Sequence, residues 1–298
     1  MIVAISGSSG LIGSALVRIF EQRQDEVRPL VRRETRKPRE ISWDPEGGEM
    51  EGAKLEGVDV VINLAGENLA QHWSTRVKQR IRDSRVKGTA LLSRTIASLA
   101  AKPRVFLSGS AIGIYGSRRD EPLDETSTLG DDFLASVCKE WEAATAPASD
   151  VGVQVTHLRT GLVLSPDGGL LPKMLLPFRL GIGGKFGRGR QWMSWISLDD
   201  YIEAVCHLAT DLSLPGAVNM VSPYPVTNAE FTDTLANILR RPAMIPVPSF
   251  ALKFAMGEMI EETALASQRV RPHRLLEAKF HYQQPTLDKA LRHLLTTH

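Results

Sequence analysis

Two cysteines among 298 residues, Cys138 and Cys206, exclude a disulfide framework, and neither has neighbours at metal-ligand spacing. No excess of one charge stands out. Lys and Arg number 36 against 34 Asp and Glu, and a net charge of +2 leaves no electrostatic footprint for nucleic acid. No run reaches 18 apolar residues, which excludes a membrane-spanning helix of the usual kind. The first strand is expected at residue 2, which leaves no room for a signal peptide, so the expected compartment is the cytoplasm. What remains is 43% hydrophobic and 23% charged, an ordinary globular composition. The length suits one large α/β domain, or such a domain with a small lobe.

The N-terminal stretch carries the strongest pattern. Ile2, Val3, Ala4 and Ile5 form a short apolar run, as in a strand buried on both faces. Gly7-x-x-Gly10-x-x-Gly13 follows directly, and Leu11, Ile12, Ala15, Leu16 and Ile19 recur at helical spacing. Strand, glycine turn and helix is the context a dinucleotide-binding fingerprint requires. There Gly7 allows the tight turn, Gly10 lets backbone amides approach a pyrophosphate, and Gly13 lets the helix pack close to the strand. The pyrophosphate belongs at the helix N-terminus, among Ser9, Gly10, Leu11, Ile12 and Gly13, where unpaired N–H groups and the dipole favour an anion.

A second strand is expected over residues 26–31, followed by Arg32 and Arg33. The end of that strand lies beside the adenosine ribose in folds of this kind. An acid there binds the 2′-hydroxyl of NAD, whereas an arginine accommodates the 2′-phosphate of NADP. Arg32, Arg33, Arg36, Lys37 and Arg39 crowd the loop, with Glu34 the only acid among them. Guanidinium groups suit a phosphate, so the expected cofactor is NADP(H), held by Arg32 and Arg33.

Residues 58–62 read as another buried strand, ending in Asn63-Leu64-Ala65-Gly66-Glu67-Asn68. The two-residue gap between Gly7 and Gly10 resembles the extended and atypical short-chain dehydrogenase/reductases, relatives of epimerases and dehydratases. The Asn-Leu-Ala-Gly run resembles the Asn-Ala-Gly motif of that superfamily, where small residues let the backbone pass close to the cofactor. With Trp73 and Ser84-Arg85, the chain is similar to the uncharacterised epimerase family proteins of YfcH type, and the resemblance spans essentially its whole length. It implies an α/β fold, a Rossmann-like doubly wound parallel sheet. It also implies cofactor contacts at Leu64, Ala65, Gly66, Glu67 and Arg85.

The same resemblance says where catalysis should lie. A strand over 104–107 runs into Ser108-Gly-Ser110, similar to the Ser-Ser-x-x-x-Tyr-Gly stretch of extended reductases, whose serine hydrogen-bonds the reacting oxygen. Counted back from Tyr115-Gly116 the spacing is one residue too long, so Ser108 and Ser110 both stand as candidates. A helix starting near 131 should then carry Tyr-x-x-x-Lys, one turn apart. In the superfamily the lysine lowers the tyrosine pKa and grips the nicotinamide ribose, and the phenol transfers a proton near neutral pH. Here Lys139 is present, but Ala135 stands four residues before it. The expectation is that Lys139 still holds the ribose while tyrosine–lysine catalysis is lost. Cys138 lies on another helical face and is expected in the core.

A strand is expected over 151–158 and a short helix over 173–180. The loop 181–195 then gathers five glycines, three cations and two tryptophans. Extended reductases contact a nucleotide-linked substrate from this region. Ser197 or Asp199 can cap the next helix, Thr227-Asn-Ala-Glu230 reads as a capping box, and His273 as a surface residue. Pro242, Pro246 and Pro248 mark a linker into a tail that resembles the C-terminal segment of unassigned function in the same group. The expected organisation is an NADP-binding, epimerase-like domain over 1–245 and a mostly helical segment over 246–298 that forms a small C-terminal lobe. The implied partner is a small-molecule substrate; no metal is expected, and self-association is left open. Two functions stand. One is an NADP(H)-dependent oxidoreductase or epimerase-like enzyme. The other is a non-catalytic NADP(H)-binding redox sensor or regulatory protein, which the missing tyrosine allows.

Overall fold

The structure is a computed structural model and describes residues 1–243 and 246–296. Its centre is one sheet of eight strands. They are β1 (Ile2–Ser6), β2 (Glu26–Val31), β3 (Ile41–Asp44), β4 (Glu49–Met50), β5 (Val60–Asn63), β6 (Val105–Ala111), β7 (Gln154–Thr160) and β8 (Gly216–Met220). Their spatial order is β8-β7-β6-β5-β1-β2-β3-β4. The pairings are parallel except for β3 with β4, which closes one edge. The order runs outward in both directions from β1 and β5. That is the doubly wound arrangement, and it places the topological switch point at the end of β1.

The uninterrupted apolar runs are explained by burial on both faces. Successive residues of a strand point to opposite sides. Val3, Ile5, Ile62, Leu107 and Leu158 pack with helices α1 (Leu11–Gln22) and, further along the chain, Leu198–Thr210. Ala4, Val61, Phe106 and Val155 pack on the other side with Leu91, Leu92 and Ile96 of helix α2 (Thr75–Ser98). Helix α3 (Phe133–Ala143) lies beside α2 on that second side, capped by Asp132, whose carboxylate accepts the Ala135 N–H at 2.8 Å.

One boundary differs from the sequence reading. Val151 is exposed, and Gly152 takes a left-handed φ of 85°, so the chain turns there and β7 starts only at Gln154. Both capping expectations hold. Ser197 Oγ accepts the Asp200 N–H, and Thr227 with Glu230 forms a reciprocal capping box.

Helices α4 (Leu171–Arg179), α6 (Asn228–Leu239) and α7 (Leu287–Thr296) build the lobe, while α5 (Leu198–Thr210) packs on the sheet. Met174, Phe178, Phe231, Leu235, Ala290 and Leu291 share one apolar cluster, so the lobe draws on residues from both sides of position 245. Ile245 itself lies outside the described residues. The tail is tied back to the sheet domain at several points, two of which show the pattern. Arg269–Val270 pairs with Pro122–Leu123, and the Glu262 carboxylate accepts the N–H of Leu134 at 2.9 Å. Among the described residues no helix is long and apolar enough to cross a membrane.

Candidate cofactor and active site

The glycine turn at the switch point is packed by backbone alone. Gly7 has φ of 69°, and a Cβ there would lie 2.9 Å from the carbonyl carbon of Leu64. A Cβ at Gly13 would lie 2.2 Å from the Gly7 carbonyl oxygen, so only glycine lets α1 approach β1 this closely. The Gly10 N–H closes the turn on the Gly7 carbonyl at 3.0 Å. Gly10 itself is exposed, and a Cβ there would meet only that carbonyl oxygen, at 3.3 Å. No side chain caps α1, so its first N–H groups stay available to an anion.

In front of the turn lies a cavity of about 930 Å³. Gly7, Ser9 and Gly10 border it, with Leu64, Ala65 and Gly66 from the loop after β5 and with Arg32, Arg33 and Glu40. Trp43, Asp44, Pro45 and Glu46 also line it, and the sequence reading missed them. The signal was available: they end and follow β3, the neighbour of β2, and the carboxyl ends of such strands with their loops border the ligand crevice. The turn, which rejects a Cβ at Gly7 and Gly13 and leaves the tightly turned Gly10 exposed to the cavity, fits a dinucleotide pyrophosphate, as the fingerprint requires.

The loop after β5 is positioned by a buried polar chain. Ser6 Oγ donates to Asn63 Oδ1 at 2.5 Å and accepts the N–H groups of Leu64 and Ala65. Asn63 Nδ2 and Trp141 Nε1 both donate to Thr89 Oγ1, which ties the loop to α2 and α3. Beneath it, Arg85 Nη1 donates to the carbonyls of Glu67 and Ile81, and its guanidinium lies 5.2 Å from the Trp141 ring centroid. Burial pulls the Arg85 pKa below its ordinary value. A Cβ at Gly66 would stand 3.0 Å from Arg85 Cζ, so Gly66 is small because the guanidinium fills that space. Arg85 and Glu67 therefore brace the loop at the cavity rather than lining it. Leu11 and Ile12 likewise turn to the apolar packing around α1, while their N–H groups belong to its first turn.

The basic loop after β2 is organised by an acid that the sequence reading left out. Arg33 meets Glu40 with both arms, Nη2 to Oε1 at 2.7 Å and Nη1 to Oε2 at 2.9 Å. Glu40 Oε2 also accepts the N–H groups of Arg36 and Lys37. The Arg33 hydrogen bonds, with the Arg36 amide, hold the Glu40 carboxyl down at about 2. Arg32 is exposed at the cavity and makes no hydrogen bond or ion pair among the described residues.

The catalytic candidates are not brought to this cavity. Lys139, expected to grip a ribose, is exposed and makes no hydrogen bond or ion pair among the described residues. The buried face of α3 is Leu134, Ala135, Val137, Cys138 and Trp141. That set, at three- and four-residue spacings, was visible in the sequence and turns Lys139 to solvent. Cys138 sits in the core as expected, and burial pushes its thiol up to about 12. Ser108 is wholly buried, its hydroxyl 3.5 Å from the Gly109 carbonyl. Ser110 donates to Glu142 Oε1 at 2.7 Å. Glu142 also takes a two-armed pair from Arg159, whose Nη1 donates to Tyr115 Oη; Tyr115 in turn donates to Asn219 Oδ1. Burial acts to raise the Glu142 pKa, but Arg159 outweighs it and the carboxylate is held low. Ser110, Arg159 and Asn219 stand in register across β6, β7 and β8, so this chain of polar groups crosses the three strands at one end of the sheet.

Comparison with known proteins agrees with this geometry. Residues 3–220 match the NAD dependent epimerase/dehydratase family, and residues 247–294 match a domain of unknown function, DUF1731. The chain is 42% identical to the epimerase family protein ML0860 of Mycobacterium leprae over 296 residues, 99% of this chain and 96% of that protein. Among solved structures it superposes on the human epimerase family protein SDR39U1 (isoform 2) with NADPH, at a TM-score of 0.93 and 33% identity over 100% of both chains. It also superposes on the nucleoside-diphosphate sugar epimerase from Corynebacterium glutamicum, with a TM-score of 0.83, 39% identity, 99% of this chain and 58% of that one. With a glycine turn built for a dinucleotide and relatives along its whole length, the chain belongs to the NAD dependent epimerase/dehydratase family.

Proposed function

We propose that this chain is an NADP(H)-binding protein of oxidoreductase or epimerase type. The observation that carries the reading is the pairing of the Gly7–Gly10 turn with Arg32, a guanidinium without a partner among the described residues, in one cavity. Backbone amides at the start of α1 would hold the pyrophosphate, and Arg32 would meet the 2′-phosphate. The human relative crystallised with NADPH supports that choice. When bound, the nicotinamide supplies or accepts a hydride. The chain's own part is to bind and orient. Its substrate is a small molecule, and nucleotide-linked sugars are the first class to try, given the name of the Corynebacterium relative. Two free, buried cysteines suit a reducing compartment, and we place the protein in the cytoplasm.

Binding is tested by tryptophan quenching, with Trp43 at the cavity wall as reporter. NADPH is expected to bind more tightly than NADH; equal affinity, or tighter NADH, rejects the reading. A second reading, a redox sensor without turnover, is favoured by α3, which places neither a tyrosine nor Lys139 at the cavity. Turnover with NADPH on nucleotide-linked sugars separates the two, ordinary carbonyls being slow under either reading. Very slow reduction of ordinary aldehydes and ketones is expected, because general acid catalysis worth about 10²–10⁴-fold is missing.

A further inference from the structure

We infer that the two arginines after β2 have separate tasks: Arg32 meets the 2′-phosphate, and Arg33 is the counterion that keeps Glu40 from repelling it. The inference rests on the NADP(H) reading above and divides its binding site. Arg33 turns three of its five N–H donors inside the loop. Nη1 serves Glu40 Oε2 and the Glu34 carbonyl, and Nη2 serves Glu40 Oε1. Its fork already faces a carboxylate, which is the geometry a phosphate would otherwise claim. Arg32 lines the same cavity, and its guanidinium has no such partner among the described residues.

Glu40 cannot move away with Arg33. Its side chain is only 6% exposed, against 44% for Arg33, and its Oε2 is held by the Arg36 and Lys37 N–H groups at 2.6 and 3.3 Å. It therefore stays at the cavity whether or not Arg33 is present, with two backbone N–H groups still on its carboxylate. A fixed negative charge lining a phosphate site disfavours the phosphate unless a cation covers it. The acid is kept because it folds the loop, joining residues 33, 36 and 37 at one carboxylate.

The test measures NADPH and NADH dissociation constants for the full chain and for Arg32→Ala, Arg33→Ala, Glu40→Gln and the Arg33→Ala/Glu40→Gln pair. The two cofactors differ only by the 2′-phosphate, so their ratio cancels general damage to the fold. Arg32→Ala is expected to cut the NADPH preference over NADH roughly tenfold, the scale of one charged hydrogen bond. Arg33→Ala is expected to cut it as well, and adding Glu40→Gln to restore it to about the Glu40→Gln level. A double variant as poor as Arg33→Ala alone overturns the inference, since Arg33 would then touch the phosphate itself. Full NADPH preference in Arg32→Ala overturns it too. A parent protein without NADPH preference rejects the cofactor reading along with it, whereas a parent preference without recovery in the double variant rejects only this division of tasks.

Discussion

At Gly13 an added methyl group would collide with the Gly7 carbonyl oxygen, whereas at Gly10 it would only graze the same atom at 3.3 Å. The two glycines of one motif therefore act differently. Gly13→Ala forces backbone apart and should destabilise the protein by about 1–3 kcal/mol or more, as overpacking does, measured by urea unfolding. Gly10→Ala should leave the unfolding midpoint near the parent value and weaken NADPH binding by about 1–3 kcal/mol, the scale of a displaced charged hydrogen bond. Cofactor affinity unchanged in Gly10→Ala would mean that the turn does not face the pyrophosphate. Both glycines were legible as a motif. The unequal load on them was not, because it depends on how near the start of α1 comes to the end of β1.

Helix α3 shows how an element turns a motif into a place. A spacing of four puts positions 135 and 139 near one another along a helix but does not say which side faces the core. Ala135 is wholly buried, while Lys139 falls past the edge of the buried face. Lys139→Ala should therefore change NADPH affinity by no more than about 0.5 kcal/mol, as for ordinary surface substitutions; a tenfold loss would return the lysine to the ribose. Ala135→Tyr should overpack the core and cost about 1–3 kcal/mol of stability rather than restore a proton donor. The loop after β2 shows the complementary case. Arg32 and Arg33 were identified by position, but only the loop's fold separates the free guanidinium from the one that Glu40 holds.

Across the whole molecule, the buried pair Arg159–Glu142 links β7 to α3, and through Tyr115 and Asn219 it reaches β8. Arg159→Met leaves Glu142 as an uncompensated buried charge and should cost about 3–5 kcal/mol; adding Glu142→Gln should recover part of that loss. Beside the pair, burial pushes His157 below its ordinary 6.5, with the Glu142 charge opposing, and its Nε2 meets Thr145 Oγ1 at 2.9 Å. The unfolded chain then takes up this proton more readily than the folded one. Stability owed to the neutral ring is complete above 6.5 and falls as pH drops from there towards the folded-state value. His157→Gln should flatten the decline in unfolding free energy between about pH 7 and 5. A decline as steep as the parent's would assign it to other groups.

The sequence by itself determined what depends on neighbours along the chain. Apolar runs buried on both faces, a glycine turn opening a helix, capping residues and a basic loop all follow from local sterics and from periods of two and 3.6 residues. They sufficed for the strands, the helix starts and the glycine turn, whereas the doubly wound order was what the resemblance to epimerase-type reductases implied. Only the tertiary structure decided which side chains meet across long separations. Ser110 finds Glu142 32 positions further along the chain, and Trp43 joins Gly7 and Arg32 at one cavity. Such meetings depend on strand register and helix rotation in the packed core, where burial of Leu134, Cys138 and Trp141 and solvation of the lysine ammonium both turn Lys139 to water.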